Sequence, residues 1–190
     1  ANNPQLISVT LLIVGAGAAP SPLLSPNGMT FVTQVGGGQV VPQTLTISNG
    51  GAGGLTANLS ATTTSGGPWL GISQGFTRTE TGPAQIAVSV DPTGLIPGFF
   101  HGKITATFSV GGIQEIDVLL VVAPAGSFLQ RGLPEAAACA PASMDMIVSS
   151  IGNGLSLPVS FPRNLLAQVV DNCGGTVTNA TVVANIGTLS

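Results

Sequence analysis

The chain has 190 residues, enough for one large domain or two small ones. Charged residues make up only 6% of it, against about 25% in an ordinary soluble domain. The net charge is −3, and no basic stripe is present that could neutralise phosphates, which argues against nucleic-acid binding. The longest apolar run, residues 11–20, is shorter than the roughly 18–20 residues of a spanning helix, so no membrane span is predicted.

Strand patterns dominate the first two thirds of the chain. Apolar and polar residues alternate with a period of two, which predicts strands with one buried and one wet face, at residues 43–48, 55–61, 85–91, 103–110 and 114–122. Gly111-Gly112 lies between the last two runs and predicts a tight hairpin. With residues 29–35 and 69–73, about seven strands fall between residues 24 and 123. This rhythm is typical of an all-β, immunoglobulin-like sandwich.

The same stretch resembles a known family. The resemblance rests on a Trp-Leu pair and a Gly-x-x-x-Gly-x-Ile hairpin, and on the order of the segments 42–50, 67–70, 83–90, 94–98 and 102–105. Together these segments look like a BACON-type bacterial immunoglobulin-like domain, covering roughly residues 24–123. The resemblance implies a secreted, multi-domain bacterial protein with no catalytic residues to transfer, and a family for which carbohydrate binding has been proposed.

After Pro124 the pattern changes. Strand-like runs are predicted at residues 144–150, 155–161, 165–171 and 176–184, with turns at Asn153-Gly154 and at 173–175. This region resembles the front part of a second bacterial immunoglobulin-like domain, too short to complete a sandwich. The predicted division is therefore a strand segment at 1–20, a BACON-like sandwich at 21–124 and a partial second domain at 125–190.

Residues 7–14 resemble residues 116–122, the last strand of the first predicted domain. A chance match between two Val/Leu runs is the alternative. Under the first interpretation, the segment is a strand that pairs outside its own domain, as donor to the open sheet at 143–190 of a neighbouring copy. A contact of this head-to-tail kind does not close and grows a filament. The intermolecular strand residues would be Ile7, Val9, Leu11, Leu12, Ile13 and Val14.

Cys139 and Cys173 are the two cysteines of the chain. An even number in a chain that looks secreted favours a disulfide, with free thiols as the alternative. No second cysteine pair or nearby histidine accompanies them, so no metal site is predicted.

Other residues that could carry chemistry have simpler interpretations. His101 is predicted in a surface turn rather than in a catalytic relay. Glu115 and Asp117 share one strand face, where they would keep that face solvated. Possible glycan contacts are Trp69, which is more typical of a core residue, and the Phe99-Phe100 pair, which is predicted to be exposed. Asn58 and Asn179 fit the N-glycosylation pattern.

These features predict a non-enzymatic, secreted or cell-surface structural protein without cofactors. Its expected partner is another copy of itself, in an extracellular filament or surface appendage assembled by donor-strand complementation. The alternative is a carbohydrate-binding or adhesive module from a larger secreted repeat protein, with glycans as partners.

Overall fold

The computed structural model describes residues 15, 17–79, 82–127, 139–149 and 166–183, and every structural statement here concerns these residues. Their regular structure is entirely β. In chain order the strands are β1 (Pro22–Ser25), β2 (Gly28–Gln34), β3 (Gln43–Asn49), β4 (Thr56–Thr63), β5 (Leu70–Ile72), β6 (Phe76–Arg78), β7 (Ala84–Val90), β8 (Gly98–Phe108), β9 (Ile113–Ala123), β10 (Met144–Val148) and β11 (Ala167–Asp171). In this part of the chain no helix is long and apolar enough to cross a membrane.

Nine of these strands form a two-layer sandwich. One sheet has the order β1-β3-β7-β5 and the other the order β2-β9-β8-β4-β6. Between β1 and β8 every connection passes from one sheet to the other, and only the β8–β9 hairpin stays within one sheet, so the two sheets form the layers of an immunoglobulin-like sandwich. The all-β, immunoglobulin-like class predicted from the sequence is thereby confirmed.

The core lies between the two sheets and follows from the alternation in the sequence. In the first sheet, every second side chain of β3 and β7 is buried, including Leu45, Ile47 and Ile86. In the second sheet, β8 and the first half of β9 do the same with Ile104 and Ile116, among others. These side chains belong to one continuous hydrophobic cluster, because side chains from the two inner faces interdigitate.

Two of the nine strands, β1 and β6, were not predicted from the sequence. They have four and three residues, too few to display a period, and they lie at sheet edges. The remaining seven coincide with the predicted runs within a few residues. The Gly111-Gly112 hairpin is confirmed: β8 and β9 pair antiparallel on either side of it, and both glycines have positive φ, at 83° and 91°.

One edge of the second sheet is formed by β2, which pairs parallel to β9 over seven residues, from Gly28 with Asp117 to Gln34 with Ala123. Where β2 begins, Gln114 of β9 donates a hydrogen bond to the Pro22 carbonyl of β1. Where β2 ends, the Val35 amide donates to the Ala123 carbonyl, 2.9 Å away. The first and last long strands of the sandwich therefore lie side by side and run in the same direction.

Beyond the sandwich, β10 and β11 form a separate antiparallel pair, here called the ribbon. It corresponds to the predicted runs 144–150 and 165–171, while residues 155–161 and Asn153-Gly154 lie outside the described residues. The run predicted at 176–184 is not a strand at residues 176–183, apart from a single bridge between Thr176 and Val170. The division into domains at residues 20 and 124 stays a prediction.

Candidate assembly surface

The second half of β9 is buried on both of its faces. Val118, Leu120 and Val122 point into the sandwich core, whereas Leu119 and Val121 point away from it and are also buried. The expectation of a wet outer face along residues 114–122 is therefore wrong for this half. The run Leu119-Leu120-Val121-Val122 is continuously apolar, which is the pattern of a strand covered on both sides.

The ribbon is what covers this outer face. Ile147 of β10 and Val170 of β11 form a second hydrophobic cluster with Leu119 and Val121. Val32 of β2 and the half-buried Phe99 of β8 pack against the same cluster. The ribbon thus lies on three neighbouring strands of the second sheet.

Polar contacts show how β10 crosses this sheet. At one end, the Asp145 carboxylate lies 2.9 Å from His101 Nε2 on β8. At the other end, the Ser149 carbonyl accepts a hydrogen bond from the Asn27 amide just before β2, at 3.1 Å. Between these ends Ile147 packs on β9, so β10 passes over β8, β9 and β2 in that order.

Gly28 is the position at which the ribbon approaches the sandwich backbone. A Cβ added to Gly28 would overlap the Val148 carbonyl oxygen and lie 3.1 Å from Ile147 Cγ1. We expect Gly28→Ala to displace the ribbon while the sandwich core stays intact, because the clash is with ribbon backbone. Hydrogen exchange should then show at least about tenfold faster exchange in β10 and β11, with β3, β7 and β8 unchanged.

The matched control is Gly38→Ala, because an added Cβ there meets nothing within 4 Å. It should leave exchange in the ribbon as in the wild type. Unchanged ribbon exchange in Gly28→Ala would show that the close approach at Val148 does not hold the ribbon in place.

Three charged residues of the described chain lie together on the same outer face. Lys103 of β8 lies 2.9 Å from Glu115 of β9, and its paired residue in the register is Asp117. The hydrogen bond and charge of Glu115, with a smaller contribution from Asp117, raise the pKa of Lys103 above its ordinary value. Glu115 and Asp117 lie on one strand face, and Glu115 holds the lysine ammonium in place.

A groove of about 540 Å³ runs between β10 and the exposed part of this face. One wall is formed by β10, from Met146 to Val148, and the floor by Thr62 to Thr64 together with parts of β8 and β9. The floor is polar where Lys103 and Asp117 line it. No cluster of three or more metal-binding side chains occurs among the described residues.

The side of the ribbon that faces away from the sandwich is apolar and uncovered. Met144 and Met146 of β10 are 63% and 43% exposed. Leu166, which directly precedes β11, and Val182 and Val183, which follow the ribbon in the chain, are exposed as well. Apolar side chains gathered on one small element are typical of a surface that meets another protein.

The disulfide holds the open end of the ribbon. Cys139 and Cys173 are bonded, with their Cα atoms 5.6 Å apart. Next to the bond, the side-chain oxygen of Asn172 accepts hydrogen bonds from the amides of Ala142 and Ser143. The predicted disulfide is therefore present, and it joins the segment before β10 to the turn after β11.

The side chains predicted as glycan contacts are buried or half-buried rather than exposed on the surface. Trp69 is 3% exposed and lies in the core, and Phe100 is buried there too. Phe99 packs under the ribbon. The expectation of an exposed Phe99-Phe100 turn is wrong because β8 begins at Gly98, so both residues and His101 belong to a strand.

The remaining predicted sites divide into two groups. The side chains of Asn58 and Asn179 are exposed, which is compatible with modification but does not test it. The predicted intermolecular strand (Ile7, Val9, Leu11, Leu12, Ile13 and Val14) lies outside the described residues.

Reasoning from the sequence missed the pairing of His101 with Asp145. These residues are 44 positions apart and belong to no local motif, and only the docking of the ribbon brings them together. The single available signal was the continuous apolar run in β9, which indicates that something covers its outer face.

Comparisons with known proteins give no family assignment. No protein-family model matches the chain, and no curated protein matches it. Solved structures do match. A *Bacteroides ovatus* GH5 xyloglucanase in complex with a heptasaccharide matches at 16% identity and a TM-score of 0.40, over 54% of this chain and 19% of the enzyme. This chain therefore spans about a fifth of the xyloglucanase.

Two further matches are complexes of pilus proteins. The CsuC–CsuE chaperone–tip adhesion subunit complex of *Acinetobacter baumannii* matches at 9% identity and a TM-score of 0.46, over 80% of this chain and 76% of that one. The *Salmonella enterica* SafA pilin in complex with the SafB chaperone matches at 13% identity and 0.42, over 86% and 96%. At such identities the likeness concerns the fold alone.

Proposed function

We propose that this chain is a secreted structural protein that assembles head to tail into an extracellular filament or surface appendage by donor-strand complementation. The observation that carries the proposal is the ribbon. It is a two-stranded sheet whose outer side exposes Met144 and Met146. A two-stranded sheet with an uncovered apolar side gains stability when another strand joins it.

The donor in this proposal is residues 7–14 of a neighbouring copy. The segment contains six apolar residues and no charged residue, and it has strand-forming alternation at Ile7, Val9 and Leu11. Complete burial of four such side chains is worth about 6–10 kcal/mol before ordering costs. An apolar surface that becomes buried between copies also accounts for the low charge of the chain.

The three side chains predicted as glycan contacts do not support the alternative glycan-binding function. Sugar-binding sites stack rings on exposed aromatic side chains, and Trp69 and Phe100 are buried. A glycan array with the full chain tests this alternative directly, and saturable binding would favour it.

The assembly proposal is tested on the full, oxidised chain by size exclusion over a wide concentration range and by negative-stain electron microscopy. We expect filaments from the wild type and a folded monomer after deletion of residues 1–15. The double variant Met144→Ser/Met146→Ser should assemble at least about tenfold more slowly, because it removes the apolar acceptor surface.

The matched control for that variant is Val41→Ser/Ile96→Ser. These side chains are as exposed as the two methionines but lie on loops of the sandwich away from the ribbon. The control should assemble like the wild type. A chain that stays a monodisperse monomer at every concentration contradicts the proposal, and a polymer that survives deletion of residues 1–15 contradicts the choice of donor.

A further inference from the structure

Donor-strand assembly needs a strand edge whose backbone amides and carbonyls can bond to an incoming strand. The edges of the described strands differ in length and in how many of these groups are already hydrogen-bonded. At the edge of β2, Gln43 Nε2 donates to the Thr30 carbonyl at 2.7 Å, and the Gly37 amide donates to the Gln34 carbonyl at 2.8 Å. The other edge strands of the sandwich, β1, β5 and β6, have only three or four residues. The sandwich therefore offers little for strand addition.

The two edges of the ribbon are also unequal. Beyond β11, the Val169 carbonyl accepts from the Val177 amide, and the Asp171 amide donates to the Gly175 carbonyl. That edge is already paired with the chain that follows it. The edge of β10 that faces away from β11 is not paired with another strand in the described ranges.

The register tells which backbone groups lie on this edge of β10. Ser149 bonds to Leu166 and Asn172 bonds to Ser143 across the ribbon. Because bonded and non-bonded positions alternate in an antiparallel pair, Met144, Met146 and Val148 direct their amides and carbonyls away from β11. The carbonyl of Val148 lies against Gly28, so Met144 and Met146 carry the accessible part of the edge.

One of these groups is already occupied by a side chain. Asp145 Oδ1 accepts a hydrogen bond from the Met146 amide at 2.7 Å. The other carboxylate oxygen, Oδ2, lies 2.9 Å from His101 Nε2. The contact with His101 therefore holds the Asp145 side chain in place. Its other oxygen occupies the Met146 amide, which is the central amide of the open edge. Charged side chains at edges are a common protection against unwanted strand pairing.

We infer that the open edge of β10 is the acceptor for residues 7–14 of a neighbouring copy, and that Asp145 guards this edge until the incoming strand displaces it. The inference rests on the proposed function. The first part of the donor, residues 7–11, matches the groove beside β10: Ser8 and Thr10 would face the polar floor, and Ile7, Val9 and Leu11 would extend the apolar side that Met144 and Met146 begin. An incoming strand then supplies a backbone carbonyl to the Met146 amide in place of the carboxylate.

Assembly kinetics of the full, oxidised chain test the guard. Asp145→Ala should speed filament growth about fivefold to tenfold, because one charge-assisted hydrogen bond no longer competes with the incoming strand. His101→Ala removes the contact to the sheet but leaves the Met146 amide bonded, so growth should change less than about twofold. Asp91→Ala, which changes an exposed carboxylate outside the ribbon, should grow like the wild type.

Cross-linking tests the acceptor edge. Met146→Cys in one tagged copy should form a disulfide with Val9→Cys or Leu11→Cys in a differently tagged copy, because facing residues of paired strands are within disulfide reach. Val110→Cys, exposed at the hairpin between β8 and β9, should form none.

The possible outcomes distinguish a failure of the proposed function from a failure of the inference about β10. A chain that stays monomeric in every variant overturns the proposed function and this inference with it. A polymer that grows no faster in Asp145→Ala, or equally faster in His101→Ala, overturns the guard alone. Cross-links within one copy, or none at Met146 in a growing polymer, overturn the acceptor edge alone.

Discussion

Replacing Trp69 with alanine is expected to lower the free energy of unfolding by about 3–5 kcal/mol. The indole is 3% exposed and lies between the sheets, where its Cη2 atom sits 3.0 Å from the position a Cβ would take on Gly102 of β8. Its Nε1–H donates a hydrogen bond to the Ser65 carbonyl at 2.9 Å. The substitution therefore leaves a cavity and removes a donor from a carbonyl that now lacks its partner. A loss of this size is a large part of the roughly 5–15 kcal/mol by which typical domains are stable.

Urea unfolding followed by far-UV circular dichroism measures this effect, since the variant no longer contains a tryptophan. The matched control is Phe76→Ala, an aromatic residue on the short edge strand β6 that is 53% exposed. The control should change stability by no more than about 1 kcal/mol. A Trp69→Ala variant as stable as this control would show that the indole does not belong to the core.

Removal of the disulfide should have a comparable effect that is confined to the ribbon. The bond closes a loop with a sequence separation of 34, which corresponds to about 4 kcal/mol in the chain-entropy description. We expect Cys139→Ser/Cys173→Ser to abolish protection of the β10 and β11 amides from hydrogen exchange. The sandwich strands β3, β7 and β8 should keep their protection, because their core lies between the two sheets.

The same comparison on the wild-type chain, with and without a reductant, controls for the substitutions themselves. Reduction should reproduce the exchange pattern of the double variant. If β3 and β7 lose protection together with the ribbon, the two parts of the chain unfold as one cooperative unit, and the confinement predicted here is wrong.

The two-layer sandwich could be predicted because the sequence patterns that specify its strands and turns are local. A period of two in residues 43–48 and 85–91 identifies which side chains face the core, and Gly111-Gly112 identifies the hairpin. The edge strands β1 and β6 could not be found in this way, because three or four residues carry no measurable period. The disulfide was predicted from the number of cysteines and from the expectation that the chain is secreted, not from geometry.

The assembly surface is a product of long-range packing and was predictable only in part. That residues 144–148 and 167–171 form strands was visible from their composition. The crossing of these strands over the outer face of the second sheet could not be predicted, because the contacts at Gly28 and His101 depend on how the ribbon docks on the sandwich. The prediction of a turn at residues 99–101 was wrong because β8 begins at Gly98, directly after Pro97, and continues through these residues without a break.

The parallel pairing of β2 with β9 has a mechanical consequence. Tension applied along the chain pulls the start of β2 and the end of β9 toward opposite poles, so it acts along both strands. The backbone hydrogen bonds along the seven paired positions are then loaded in shear, so they must break together rather than one after another. In the proposed filament, each copy would therefore resist extension through this ladder.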